Sequence, residues 1–169
     1  MIRDAAAMTQ DLPDFHIPHA EKIEWMIETA GWALEPVAAQ IDVDPPVPPY
    51  AYTIGFGSAF SFPDIVVFGL TPVAIRGLID LVADLLRGGT EIPIGVELVG
   101  LFDNDLRCVF APVDLAEWAA LFEVATAWYR GVPQPLVQLL WPDRKGFLPT
   151  EPGFDRRVVA AQPVIGTPA

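Results

Sequence analysis

Ten basic residues, two histidines and one cysteine are few for a chain of 169 positions. Set against 22 Asp and Glu, the ten Lys and Arg leave a formal net charge of −12. Basic side chains on phosphates supply most of the affinity for duplex nucleic acid, and anionic membrane attracts basic surfaces in the same way. The chain is therefore expected to bind neither. Its single cysteine, Cys108, cannot close an intramolecular disulfide, which excludes a stapled secreted scaffold. The longest stretch without a charge, residues 45–63, is broken by Pro45, Pro46, Pro48, Pro49, Gly55 and Gly57, so no continuous helix could carry it through a bilayer. Residues 1–10 hold Arg3, Asp4 and a short alanine run, without the apolar core of a signal peptide. These absences together predict a cytoplasmic protein.

What is present is apolar. Hydrophobic residues make up 52 % of the chain, charged residues 19 %, and the mean hydropathy is +0.37, a composition that excludes intrinsic disorder. A chain of this length is expected to fold as one domain and to bury roughly two-thirds of its unfolded surface.

Eighteen prolines punctuate the sequence. Residues 1–15 read as a flexible acidic lead, and residues 16–169 as a single α+β domain. A first helix is expected from Pro18, with Ile23, Met26, Ile27 and Ala30 on one face and Gly31 as its stop. Trp32 and Leu34 alternate as on a half-buried strand, and the prolines of 45–49 form a stiff loop. Residues 50–56 and 65–70 read as strands, the second apolar enough to be covered on both faces. Thr71 and Pro72 look like the cap and first residue of a helix whose stripe is Ile75, Leu78, Ile79, Val82, Leu85 and Leu86, ending at Gly88 and Gly89. Residues 94–102 and 105–111 read as a hairpin around Asp103 and Asn104. Asp114 and Glu117 resemble a capping box, opening a third helix that continues to about Tyr129. Residues 136–140 form a last strand. The expected architecture is a compact α+β domain with about three helices on a mixed or antiparallel sheet.

Most signatures of chemistry are missing. No GxxxxGK[ST] loop exists to cradle phosphate, and the Gly55-x-Gly57 pair lacks a third glycine and a following helix. His16 and His19 stand three apart, near Asp14 and Glu21, but this spacing also suits a solvated helix start, and neither a metal nor a cofactor is expected. Cys108 lies between apolar neighbours, as an inert buried thiol would. Two segments carry more. Residues 1–50 hold nine acids against two bases, whereas residues 141–157 hold Arg144, Lys145, Arg156 and Arg157 against Asp143, Glu151 and Asp155. A basic cluster beside Trp141 could receive an anionic group or a planar ring, and Asp143 with Glu151 could act as an acid/base pair. Equally, Asp143 and Arg144 could lock a C-terminal arm, with Trp141 as a core plug. Tyr52 and Thr53, on a strand before Gly55, would bring hydroxyl groups to a pocket mouth, or simply flank the core.

Tyr-Thr-Ile-Gly at 52–55, the run Phe62-Pro63-Asp64-Ile65-Val66-Val67-Phe68-Gly69-Leu70, Trp141-Pro142-Asp143-Arg144-Lys145-Gly146, Glu151-Pro152-Gly153-Phe154 and Gln162-Pro163 occur in that order. Over about residues 20–166 the chain resembles the bacterial domain-of-unknown-function family 4262 (DUF4262). The resemblance implies a small cytosolic protein of one domain, with no established activity. It also marks two departures. Members commonly read Gly-His-Pro-Glu-Leu where this chain has Ser61-Phe62-Pro63-Asp64-Ile65, and a Phe-Pro-Trp pattern where it has Phe147-Leu148-Pro149-Thr150. Phe62 cannot perform histidine chemistry, so both changes favour binding or structure over catalysis.

Three functions follow as expectations. The first is a non-catalytic binding or accessory module, with a groove edged by Tyr52, Thr53, Trp141 and Arg144 for a small molecule or a protein. The second is a small hydrolase or transferase using Asp143 and Glu151 with Arg144 as electrostatic stabiliser. The third is an acidic interaction partner of the immunity or antitoxin type, neutralising a basic protein. If the chain self-associates, a homodimer is the expected form.

Overall fold

The computed structural model describes residues 18–168. The expected acidic lead, residues 1–15, and His16 beyond it lie outside the described residues. Helix α1 (His19–Ala30) follows Pro18, which is its extended N-cap rather than its first helical residue. It ends where Gly31 turns left-handed (φ +89°), as the stop signal predicts. Strand β1 (Ala33–Val37) runs next, and after the proline-rich loop β2 (Tyr50–Ile54) pairs with it antiparallel.

A one-turn helix α2 (Phe56–Phe60) follows at once, where sequence suggested no helix after Gly55. Gly55 makes it possible by adopting φ +102°, a left-handed backbone open to glycine at little steric cost. Strand β3 (Asp64–Phe68) is buried at every position, and α3 (Pro72–Arg87) begins where Thr71 accepts the Ala74 N–H at 3.2 Å.

Strand β4 is only Glu97–Leu98, much shorter than expected, because Gly95 (φ +85°) and Gly100 (φ +103°) leave the extended conformation on either side. The turn around Asp103 and Asn104 does reverse the chain, and β5 (Cys108–Pro112) pairs back antiparallel. The expected third helix is three pieces: α4 (Leu115–Trp118), a 3₁₀ turn (Ala119–Phe122) and α5 (Glu123–Trp128). Breaking the helix lets Phe122 enter the core edge-on to Tyr52, ring centroids 5.0 Å apart. Asp114 caps α4 through the Ala116 N–H at 3.1 Å. Strand β6 (Leu136–Leu140) closes the set.

The six strands form one mixed sheet in the order β1-β2-β3-β6-β5-β4. All neighbours are antiparallel except β3 and β6, which run parallel with Asp64 opposite Leu136. Period-2 alternation divides the core. Ala51, Ile65, Val67, Phe110, Val137 and Leu139 pack under α3, meeting Ile75, Ile79 and Val82. Tyr50, Tyr52, Val66 and Phe68 face the other way, onto Ile23 of α1 and Phe122. This is an α+β fold with helices on both sheet faces.

Ile79→Ala, at a fully buried position of α3, is expected to cost about 2–5 kcal/mol through lost burial and a cavity. Leu81→Ala, on the same helix but 41 % exposed, should change stability by about 0.5 kcal/mol or less. Urea unfolding of the two variants checks the ranking; equal losses would contradict the assigned helix face.

Candidate functional site

The polar residues singled out by sequence divide between opposite ends of the sheet. Because β3 and β6 run parallel from Asp64 and Leu136, Trp141, one residue past the end of β6, stands roughly 17 Å further along. Tyr52 and Thr53 border a concavity near the first end, and Trp141 and Arg144 border another near the second. The groove expected between these four residues is therefore not one feature but two.

At the far end the turn after β6 is held by hydrogen bonds. The Asp143 carboxylate accepts from the backbone N–H of Lys145 and Phe147 at 2.9 Å each and from Asp155 at 2.8 Å. Partial burial pushes its pKa up, but these donors outweigh that and hold it below the ordinary range. Glu151 pairs with Arg107 at 2.6 and 3.1 Å and accepts the Leu148 N–H at 2.8 Å; Arg107, more than the N–H donor, lowers its pKa. Glu151 thus meets Arg107, a residue the sequence did not flag, and not Arg144. Trp141 is buried, its indole N–H donating to the Phe68 carbonyl at 2.8 Å. Its backbone is clamped by Gln162, which accepts the Trp141 N–H at 2.8 Å and donates to its carbonyl at 3.0 Å. Arg144 is exposed beside a second concavity of about 410 Å³ and has no ion pair among the described residues. One further polar residue anchors this arm: Gln138, fully buried in β6, accepts the N–H of Ile165 and Gly166 and donates to the Pro163 carbonyl.

The near end centres on a residue that sequence reading passed over. Asp64 opens β3 with 5 % of its surface exposed. Its Oδ1 accepts from Thr53 Oγ1 at 2.9 Å and from the Phe56 N–H at 3.1 Å. Its Oδ2 accepts from the Tyr129 hydroxyl at 2.5 Å. Tyr129 in turn accepts the Gly55 N–H at 2.7 Å, and Thr53 accepts the Ile65 N–H at 3.0 Å. All these donors are neutral. Burial therefore dominates and raises the Asp64 pKa, opposed in part by the hydrogen bonds from Tyr129, Phe56 and Thr53. Burial, then the carboxyl charge beside it, raises the Tyr129 phenol as well. The left-handed Gly55 aims two successive N–H groups, its own and that of Phe56, at this cluster.

Beside the cluster lies a cavity of about 460 Å³. Tyr52, Thr53, Asp64 and Leu136 of the sheet form one side, Phe122, Ala125 and Thr126 another, and the strap Gly131–Pro135 a third. A smaller hollow of about 120 Å³, under Ser61 and Phe62, lies on the other side of Asp64 and Gln134. Phe62, where the family resemblance leads one to expect histidine, packs edge-on to Phe110 at 5.7 Å. The depression between α1 and α5 is lined mostly by exposed side chains and lacks a buried polar group. Its His19 Nε2 donates to the Glu35 carboxylate of β1 at 2.8 Å. Among the described residues no three His, Cys, Asp or Glu are placed to hold a metal ion. Cys108 is buried in β5, and burial pushes its thiol up to about 12. No helix of the described residues is long and apolar enough to cross a membrane.

Fold and site together define an α+β domain with a mixed sheet and a buried acid beside an open cavity. The chain belongs to the family described as domain of unknown function (DUF4262), whose model matches residues 26–155 and so includes Asp64, Tyr129 and the Trp141–Glu151 turn. Gln162 and Pro163 fall outside that match. No curated protein and no solved structure matches the chain.

The raised Asp64 pKa has a consequence for stability. Its favourable contribution is fully present below the ordinary carboxyl range and is lost as pH rises through the folded value. Asp64→Asn removes that loss, so the variant's stability relative to the wild type should increase as pH rises from the ordinary carboxyl value of about 3.9 towards the raised folded value. Urea unfolding across this range checks it; a difference independent of pH would contradict the assignment.

Proposed function

We propose that this chain is a non-catalytic binding domain for a small molecule, and that the ligand occupies the cavity beside Asp64. One observation carries the reading: a buried carboxyl group, held by three neutral donors, borders an apolar cavity of about 460 Å³. Cavities of this size, with apolar walls and a few convergent polar groups of perturbed pKa, are where small molecules bind. The Trp141–Arg144 turn serves in this reading as a clasp for the C-terminal arm, since the Asp143 and Glu151 oxygens already receive backbone N–H groups and Arg107. The lone buried thiol of Cys108 suits a reducing cytoplasm.

A fragment screen followed by amide NMR shifts tests this. Bound fragments should shift Thr53, Asp64, Phe122 and Leu136, and Ala119→Trp, which fills the cavity from an exposed wall position, should abolish those shifts. Hits that map to Trp141–Arg144 and ignore Ala119→Trp would overturn the reading.

A further inference from the structure

Resting on that reading of the cavity, we infer that its ligand is an apolar amine, bound as the cation, with the ammonium group against Asp64. The first support is charge. The described residues around the cavity include two carboxylates, Asp64 within and Asp114 at the rim, and no Lys, Arg or His. A buried carboxylate is ordinarily matched by a cation, because desolvating an uncompensated charge is costly. Here every partner of Asp64 is a neutral donor, and no cationic side chain of the described residues acts on it.

The second support is hydrogen-bond direction. Thr53 and Tyr129 donate their hydroxyl hydrogens to Asp64, and Thr126 donates to the Phe122 carbonyl at 3.0 Å. These three hydroxyl groups at the cavity therefore offer lone pairs and no free hydrogen. A carboxylate has about four acceptor positions, and Oδ2 carries a single partner where Oδ1 carries two. Tyr52 and Gln134 also line the cavity and can donate, but both are neutral, so what the site lacks is a charged donor. The walls set the remainder of the ligand: Leu115, Phe122, Val132 and Leu136 suit an aromatic or aliphatic body. An anionic ligand would meet two like charges and find no positive partner.

Three near-isosteric probes separate the alternatives on the unmodified protein: 2-phenylethylamine, 2-phenylethanol and 3-phenylpropanoate, titrated by NMR at physiological salt. The amine should bind at least tenfold more tightly than the alcohol, with shifts at Thr53 and Leu136, and the carboxylate should not bind. Asp64→Asn should abolish the preference for the amine over the alcohol. Equal binding of amine and alcohol in the cavity would overturn the cation preference while leaving the binding-domain reading intact. Failure of all three probes at millimolar concentration would overturn both. Amine binding that survives Ala119→Trp would be general attraction to an acidic surface and would overturn the inference. The wild-type comparison stands even if Asp64→Asn fails to fold.

Discussion

A carboxyl group enclosed at the start of a central strand constrains everything packed around it. Left without partners it would cost several kcal/mol, so donors must reach it from elements distant in sequence. Asp64 draws Thr53 from β2, the Phe56 N–H from α2 and the Tyr129 hydroxyl from the end of α5. Meeting that requirement fixes much else. Gly55 must turn left-handed to point its own N–H at Tyr129 and that of Phe56 at Asp64, which starts α2 one residue after β2. Tyr129 must come down over the sheet, and the strap after it then closes one side of the cavity. The cavity is thus a by-product of satisfying one acid, and at its polar edge Thr53, Tyr129 and Thr126 already have their hydroxyl hydrogens committed.

The second polar cluster obeys a different logic. Asp143 and Glu151 are acids met by backbone N–H groups and by Arg107, and their pKa values fall rather than rise. Such carboxylates are settled as ions and have little capacity left to move a proton or accept a new donor. The arm they organise crosses the sheet through Gln162 on Trp141 and Gln138 on Ile165 and Gly166, so it contributes a layer of fold where sequence offered no periodicity. Two acid clusters in one small protein therefore divide into one held by backbone N–H groups and Arg107 and one held by neutral donors alone.

Much of the fold was legible because it rests on local signals. Thr71-Pro72 and Gly31 bound their helices as capping rules require, and the run from Ile65 to Phe68 is covered on both faces as its composition demands. The mixed sheet and its helices follow from those pieces. The one-turn α2 and the broken third helix were not legible, because each depends on a tertiary contact: Gly55 with Tyr129, and Phe122 with the Tyr52 ring. The site was half legible. Tyr52 and Thr53 do border the cavity, yet the acid they serve sat unnoticed in Phe-Pro-Asp-Ile, where an aspartate before an apolar strand looks like a solvated strand start. Its partner Tyr129 is 65 residues away and carries no local mark. The attraction of Trp141-Pro142-Asp143-Arg144 was compositional, and side-chain direction could not be read from it.

The central claim is that Asp64 is a buried acid without a cationic partner among the described residues. Carbon-13 NMR of its carboxyl group across a pH titration tests this most directly. The account predicts a midpoint above the ordinary aspartate value of about 3.9, with Asp143 titrating below it. An Asp64 midpoint at or below that value would mean the charge is already compensated, and the cavity beside it would lose its claim to a cationic ligand.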